Sequence, residues 1–173
     1  QGKAMLEKIS GVPVLGVIPW FHDIYIEQED SVVLDKLNNK PQKGKINIAV
    51  VRLNHMSNFT DFDTLNNIPE VNLYYAKQPD DFSQADILII PGSKNTLSDM
   101  AFLHNSGISQ IITAHHRKDK PIYGICGGYQ MMGIEIRDPD HFESPLGTMK
   151  GLDILPFITT LSKEKTTRQC KFS

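Results

Sequence analysis

The sequence is poor in cysteine, with Cys126 and Cys170 alone among 173 residues, and it has a single tryptophan. Two thiols close at most one bridge, so a disulfide framework is excluded as the organising principle of the fold. Long hydrophobic runs are also missing. The longest, VPVLGVIPWF from Val12 to Phe21, has ten residues and contains two prolines, well short of the roughly 20 that a membrane-spanning helix requires. No basic start leads into an apolar stretch and a small-residue cleavage site, the pattern of a secretory leader. Nor does one sign of charge dominate: 18 Lys and Arg against 20 Asp and Glu leave a formal charge of -2, which provides no electrostatic footprint for nucleic acid or an anionic membrane. These absences predict a cytoplasmic protein with neither nucleic acid nor membrane as partner. The length suits one well-buried domain rather than two.

What is present falls into two parts. Near the start, DKLNNKPQKGK (residues 35–45) is rich in Asn, Lys, Pro and Gly and has linker character, which places a boundary near Lys43. From Lys45 onward short apolar runs recur: KINIAVVRL (45–53), VNLYYA (71–76), ADILIIPG (85–92) and PIYGIC (121–126). Their β-branched content and near-continuous apolarity mark strands covered on both faces, as in a parallel sheet. Between the third and fourth runs, NTLSDMAFLHNSGISQIITAHHRKDK predicts one or two helices interrupted near Gly107. Thr96 and Asp99 stand there at capping-box spacing, and Ile108, Ile111, Ile112 and His115 share one face. LDILPFITTL (152–161) reads as a further strand. Strands alternating with helices predict an α/β domain with three αβα layers around a mostly parallel sheet.

IYGICGGYQ (122–130) sets a cysteine between a strand end and two glycines. Gly124, Gly127 and Gly128 are the small residues that a nucleophile elbow needs, since a tight strand-to-helix turn must hold the nucleophile clear of its own backbone. A thiolate in that position faces unpaired N–H groups and the partial positive charge of a helix start. The same donors suit a developing oxyanion. A buried structural cysteine in a Gly-rich turn is the competing reading. IIPGSKNT ends the preceding strand in a similar way, and neighbouring parallel strands bring their carboxyl ends to one edge, where open α/β sheets bind ligands. Gly92 and Ser93 thereby come to face Gly127. Lys94 is either an anion partner or a solvated lysine.

A thiol nucleophile also needs a base. His115 and His116 fall at the end of the helix before the Cys126 strand, on the far side from the thiol, and read as ordinary helix residues. His141 can approach the site from a turn-rich excursion. Cys126 and Cys170 lack the spaced His or Cys partners of a structural zinc site, so no metal is expected. RLNHMSNFTDFDTL (52–65) gathers Arg52, His55, Ser57, Asn58, Thr60, Asp61 and Asp63 after the first strand. Such a cluster either binds a polar ligand or partner domain, or is a loop capped by its own Ser, Asn and Thr.

GICGGYQ and PGSKNT together resemble the elbow and facing loop of class I glutamine amidotransferases, which have a cysteine nucleophile on a flavodoxin-like α/β fold. RLNHMSNFTDFD, ESPLGTMKGLDILP and EKTTRQ narrow the resemblance to the amidotransferase portion of the cobyric acid synthase family. GVPVLGVIPWFHDIYIEQEDS is similar to the segment leading out of that family's ATP-dependent synthetase domain. The resemblance implies that residues 1–44 end a synthetase domain and linker, and that 45–173 form an amidotransferase domain incomplete at its C-terminus. It implies Cys126 as nucleophile, the Gly127 N–H and the Gly92/Ser93 turn as oxyanion donors, and Gln130 as a residue that holds substrate glutamine. The ammonia released would amidate carboxylates of a corrin acid in cobalamin biosynthesis. ATP and Mg are then expected in the synthetase domain, with no cofactor bound by these residues. An a,c-diamide synthase of the same family and a non-catalytic domain that keeps the fold are the alternatives.

Departures accompany the match. Asn54 stands where the family usually has Pro, which would loosen the turn before His55. No GxxxxGK[ST] phosphate loop occurs, and the family's catalytic His lies farther downstream than the 47 residues that follow Cys126. A thiolate without its imidazole still alkylates, but proton delivery to departing ammonia fails. Purified residues 1–173 are therefore expected to release negligible ammonia from glutamine; release at rates normal for the family would refute this.

Overall fold

The computed structural model describes residues 2–17 and 40–163. The expectations placed on EKTTRQ, on Cys170 and on most of the segment after Val17 lie outside the described residues. Four strands, β1 (Ile46–Val51), β2 (Val71–Ala76), β3 (Ile87–Ile90) and β4 (Ile122–Gly124), form a sheet in the order β2-β1-β3-β4. Every neighbouring pair is parallel, with Ile48 opposite Leu73 and Ile87, and Ile89 opposite Tyr123. The apolar runs are short and continuous because both faces of the sheet are covered, so strand residues of either parity are buried.

Ala49, Val51, Tyr74, Leu88 and Ile90 point to one face. They pack with Leu97, Met100 and Leu103 of α3 (Thr96–Asn105), Ile108 and Ile112 of α4 (Ile108–His116), and Met131 of α5 (Gly127–Met131). Ile48, Val50, Leu73, Tyr75 and Ile89 point to the other face and meet Phe62 and Leu65, which come from a short 3-10 turn and from α2 (Asp63–Asn66). The result is the predicted three-layer α/β arrangement, with one helical layer much thinner than the other. Gly107, at φ 78°, separates α3 from α4. The preceding helix α1 (Gly2–Ser10) has no buried residues.

Two features differ from the sequence reading. A small second sheet, ordered β6-β5-β7, is built from β5 (Glu135–Arg137), β6 (Thr148–Lys150) and β7 (Ile158–Thr160). The 152–161 stretch contributes only those last three residues as strand. Its earlier N–H groups are used elsewhere: Leu152 donates to the Met131 carbonyl at 2.8 Å, Asp153 to Gly133 at 2.9 Å and Ile154 to Met132 at 3.0 Å. The strap thus satisfies the carbonyls that the short helix α5 leaves open at its C-terminus.

The amino edge of the sheet is polar and stitched. Asn47 and Asn72 are buried, and Asn47 Oδ1 accepts from the Gln42 N–H at 2.7 Å and from Asn72 Nδ2 at 2.8 Å. Asn47 Nδ2 donates back to the Gln42 carbonyl at 3.1 Å, and Asn72 Nδ2 donates to the Lys40 carbonyl at 3.2 Å. The part of the expected linker from Lys40 to Lys45 is therefore tied to the sheet.

His115, at the end of α4, lies on the same amino edge among Ala85, Lys118 and Lys120. It is buried, and its Nε2 has no hydrogen-bond partner among the described residues. Burial pushes its pKa below the usual 6.5, helped by the nearby Lys120 charge and against the pull of backbone contacts at Pro121 and Asp86. The folded state favours neutral imidazole, so the unfolded chain protonates first. This contribution to stability is complete above pH 6.5 and declines as pH falls from there toward the lowered folded value. Urea midpoints measured from pH 7.5 to 5 should fall for the native chain and fall less steeply for His115→Leu; equal slopes would exclude this source.

Candidate active site

β3 and β4 end side by side, and the Ile125 N–H donates to the Ile90 carbonyl at 3.0 Å beyond the last strand pair. The chain then turns sharply. Cys126 adopts φ 50°, ψ -114°, a backbone conformation that disfavours any residue with a Cβ and persists only where its surroundings enforce it. The enforcement comes from close packing of the first turn of α5. A Cβ on Gly128 would collide with the Ile90 carbonyl, and one on Gly124 would stand 2.7 Å from the Tyr129 Cα. Cys126 itself is exposed, with its thiol free. This excludes the buried structural cysteine. Helix α5 has only five residues, so individual N–H groups matter here more than an accumulated helix dipole.

Gly92 and Ser93 lie across from the elbow. A Cβ added to Gly92 would be 3.7 Å from the Cys126 Cβ, and one added to Gly127 would be 3.0 Å from the Ser93 nitrogen. Among the described residues, the N–H groups of Gly92, Ser93 and Gly127 have no hydrogen-bond acceptor. Three unengaged donors beside an exposed thiol suit a reaction in which negative charge develops on an oxygen.

The Gly92/Ser93 turn is held by the RLNHMSN segment. The Ser57 N–H donates to the Gly92 carbonyl at 2.9 Å, and the Lys94 N–H donates to the His55 carbonyl at 2.8 Å. Asp99, with no exposed surface, joins both segments. Its carboxylate accepts from Ser93 Oγ at 2.6 Å and from the His55 N–H at 3.1 Å, and it pairs with His55 Nδ1 at 3.0 Å. The capping-box expectation for Thr96 and Asp99 is thereby corrected. The N-cap of α3 is Asn95, whose side chain accepts from the Ser98 N–H at 3.0 Å, and Asp99 turns inward because a buried carboxylate needs donors. These bonds also fix the turn after Asn54. Lys94 is exposed.

Gln130 is half-buried on α5, and Thr96 Oγ1 lies 3.4 Å from its Oε1. The neighbouring residue is one that the sequence reading missed. Glu143 reaches the start of α3, where its Oε2 accepts from the Thr96 N–H at 2.7 Å and its main-chain carbonyl accepts from Asn95 Nδ2 at 2.9 Å. Asp138 shapes the loop that delivers it, accepting from the N–H groups of Phe142 and Glu143 at 2.8 Å and of Ser144 at 3.1 Å. Burial pushes the Asp138 carboxyl up, but these three donors and nearby His141 outweigh that effect and hold it below its usual 3.8. His141 does not approach the thiol: its ring lies against Gly147, with Nδ1 3.3 Å from the Ser144 carbonyl. The Asp-Pro pair at 138–139 was the available signal for a tight turn; it carried no information about where Glu143 would arrive.

Among the described residues no group of His, Cys, Asp and Glu is arranged to hold a metal ion, and no helix is long and apolar enough to cross a membrane. A cavity of about 400 Å³ between α4 and residues 150–154, walled by His104, Arg117 and Lys150, shares no residue with the elbow.

A strained cysteine at the carboxyl edge of a parallel sheet, opposite a glycine turn with unengaged N–H groups, has the geometry of a nucleophile elbow on an α/β domain. Residues 47–173 match the CobB/CobQ-like glutamine amidotransferase domain, and the chain belongs to that family. It is 49% identical over its whole length to a cobyric acid synthase of Parabacteroides distasonis, and 50% identical over 99% of its length to one of Bacteroides fragilis. Identity to the cobyric acid synthase of Salmonella arizonae is 46% over 98% of the chain. The chain spans only 33 to 35% of the length of these relatives.

Asp99→Ala should destabilise the fold by roughly 1.5–3 kcal/mol, the scale of hydrogen bonds to a charged group whose buried partners lose their acceptor. Urea unfolding measures this, and a change under about 0.5 kcal/mol would show that Asp99 does not tie the two segments together.

Proposed function

We propose that this chain carries the nucleophile and oxyanion donors of the glutamine-hydrolysing site of a cobyric acid synthase, a site that turns over only in the whole enzyme. The observation that carries the reading is the strained, exposed Cys126 next to three unengaged N–H donors. The Cys126 thiolate attacks the side-chain carbonyl carbon of glutamine. A C–S bond forms, the C=O π pair moves onto oxygen, and the Gly127 N–H and the Gly92/Ser93 turn stabilise the resulting oxyanion. Collapse breaks the C–N bond, and the departing nitrogen leaves as ammonia with a proton that, on this reading, the family's downstream histidine supplies in the whole enzyme. Water then cleaves the glutamyl thioester to glutamate and free thiol. Gln130 helps to hold the substrate. Glu143 supplies a carboxylate beside it, of the sign that would attract the substrate's α-ammonium group.

Ammonia then serves the ATP-dependent amidation of corrin-ring carboxylates. On this reading ATP and Mg bind in the part of the relatives' length that this chain does not cover. Residues 1–44 lead out of that synthetase portion into the amidotransferase domain, and the whole enzyme works in the cytoplasm. The cobyric acid synthase names of the relatives favour this over the a,c-diamide synthase alternative.

The thiol half of the proposal is testable on the chain itself. A diazo-ketone analogue of glutamine should add once per chain, at Cys126, as followed by intact mass. Free L-glutamine should slow the addition, and Cys126→Ser should abolish it. Absence of labelling, or labelling that glutamine does not slow, would sink the proposal.

A further inference from the structure

Ser57 belongs to the polar cluster after β1, and the reaction above leaves it without a role. Its hydroxyl oxygen is 2.5 Å from the point a Gly92 Cβ would occupy, and the Cys126 Cβ is 3.7 Å from that same point. Only because residue 92 has no side chain can the hydroxyl pack this close to the turn, on the side where the nucleophile's Cβ also lies. Ser57 is held there by its backbone, through the 2.9 Å bond from its N–H to the Gly92 carbonyl and the bridge between Met56 and Ser93. The next residue, Asn58, is in the left-handed region at φ 52°, ψ 49°, a conformation uncommon for a residue with a side chain that turns the chain away directly after Ser57. Although Ser57 is only half-exposed, its hydroxyl has no hydrogen-bond partner among the described residues. It is thereby available to a ligand at the site.

We propose that Ser57 is a substrate-contacting residue of the same site, with its O–H donating to the carboxamide oxygen of glutamine as Cys126 attacks. The unengaged N–H groups of Gly92 and Ser93 draw that oxygen to the Gly92 side, where the hydroxyl also stands. No proton is transferred: the hydroxyl adds a side-chain donor to the backbone donors as charge moves from sulfur to oxygen. This inference rests on the glutamine-hydrolysing reading.

The test compares two reagents on the 173-residue chain. One is the diazo-ketone glutamine analogue, which presents a carbonyl oxygen; the other is methyl methanethiosulfonate, which modifies thiols but has no carbonyl. Ser57→Ala should slow modification by the analogue by roughly tenfold to a hundredfold, at and below the loss caused by removing one oxyanion donor, while leaving the methanethiosulfonate rate within about twofold. Ser57→Thr, which keeps the hydroxyl, should retain more of the analogue rate than Ser57→Ala. Unchanged rates with both reagents would overturn the inference. A parallel fall in both would also overturn it, because Ser57 would then act on the thiol or the elbow rather than on substrate. If the unsubstituted chain does not react with the analogue, the glutamine-hydrolysing reading itself fails.

Discussion

Helix α5 lies so close to the end of β3 that Gly128 has no room for a side chain beside the Ile90 and Pro91 carbonyls. That contact sets the angle of the turn, and the turn sets the backbone of Cys126. Relaxing Cys126 to an ordinary conformation would swing α5 away from the sheet and uncover Met131, which is fully buried. The strain at one residue, of the order of 1–3 kcal/mol, is thus offset by core burial that is lost if the strain is released. The 152–155 strap closes the other end of the helix. A five-residue helix with few bonds of its own is held at both termini by the surrounding chain.

Two buried carboxylates organise the surroundings of this turn, each on a different side. Asp99 gathers the Ser93 and His55 segments, and Asp138 gathers the loop that ends at Glu143. Among the described residues neither is paired with Lys or Arg: Asp138 is satisfied by three main-chain N–H groups, and Asp99 by one main-chain N–H, the Ser93 hydroxyl and the His55 ring. Directional donors fix loop geometry more closely than an ion pair between two flexible side chains, which costs side-chain entropy to hold. The walls of the site are accordingly irregular in secondary structure yet defined in shape.

The parallel sheet was legible in the sequence because continuous apolar runs of four to six residues leave few alternatives. VNLYYA coincides with β2, and KINIAVVRL overshoots β1 only at its ends. The elbow was legible for a local reason, since the glycines that permit it flank the cysteine directly. The second sheet was not, because a three-residue strand carries no usable periodicity. Asp99 was assigned to a cap by a spacing rule that cannot detect Asn95 one residue before the presumed cap, nor the burial that turns the carboxylate inward. Glu143 was invisible for a different reason: it meets Thr96 across 47 residues of sequence, and nothing near either residue announces the encounter.

The stitching of Lys40 to Lys45 onto Asn47 and Asn72 has a geometric consequence. It fixes the point at which the preceding chain enters the domain, at the pole of the sheet where β1 and β2 begin. Cys126 stands at the opposite pole. The six residues of β1 separate the two by about 20 Å at the usual rise of an extended strand. Anything tethered upstream of Lys40 is therefore joined to the domain at the end of the sheet opposite Cys126.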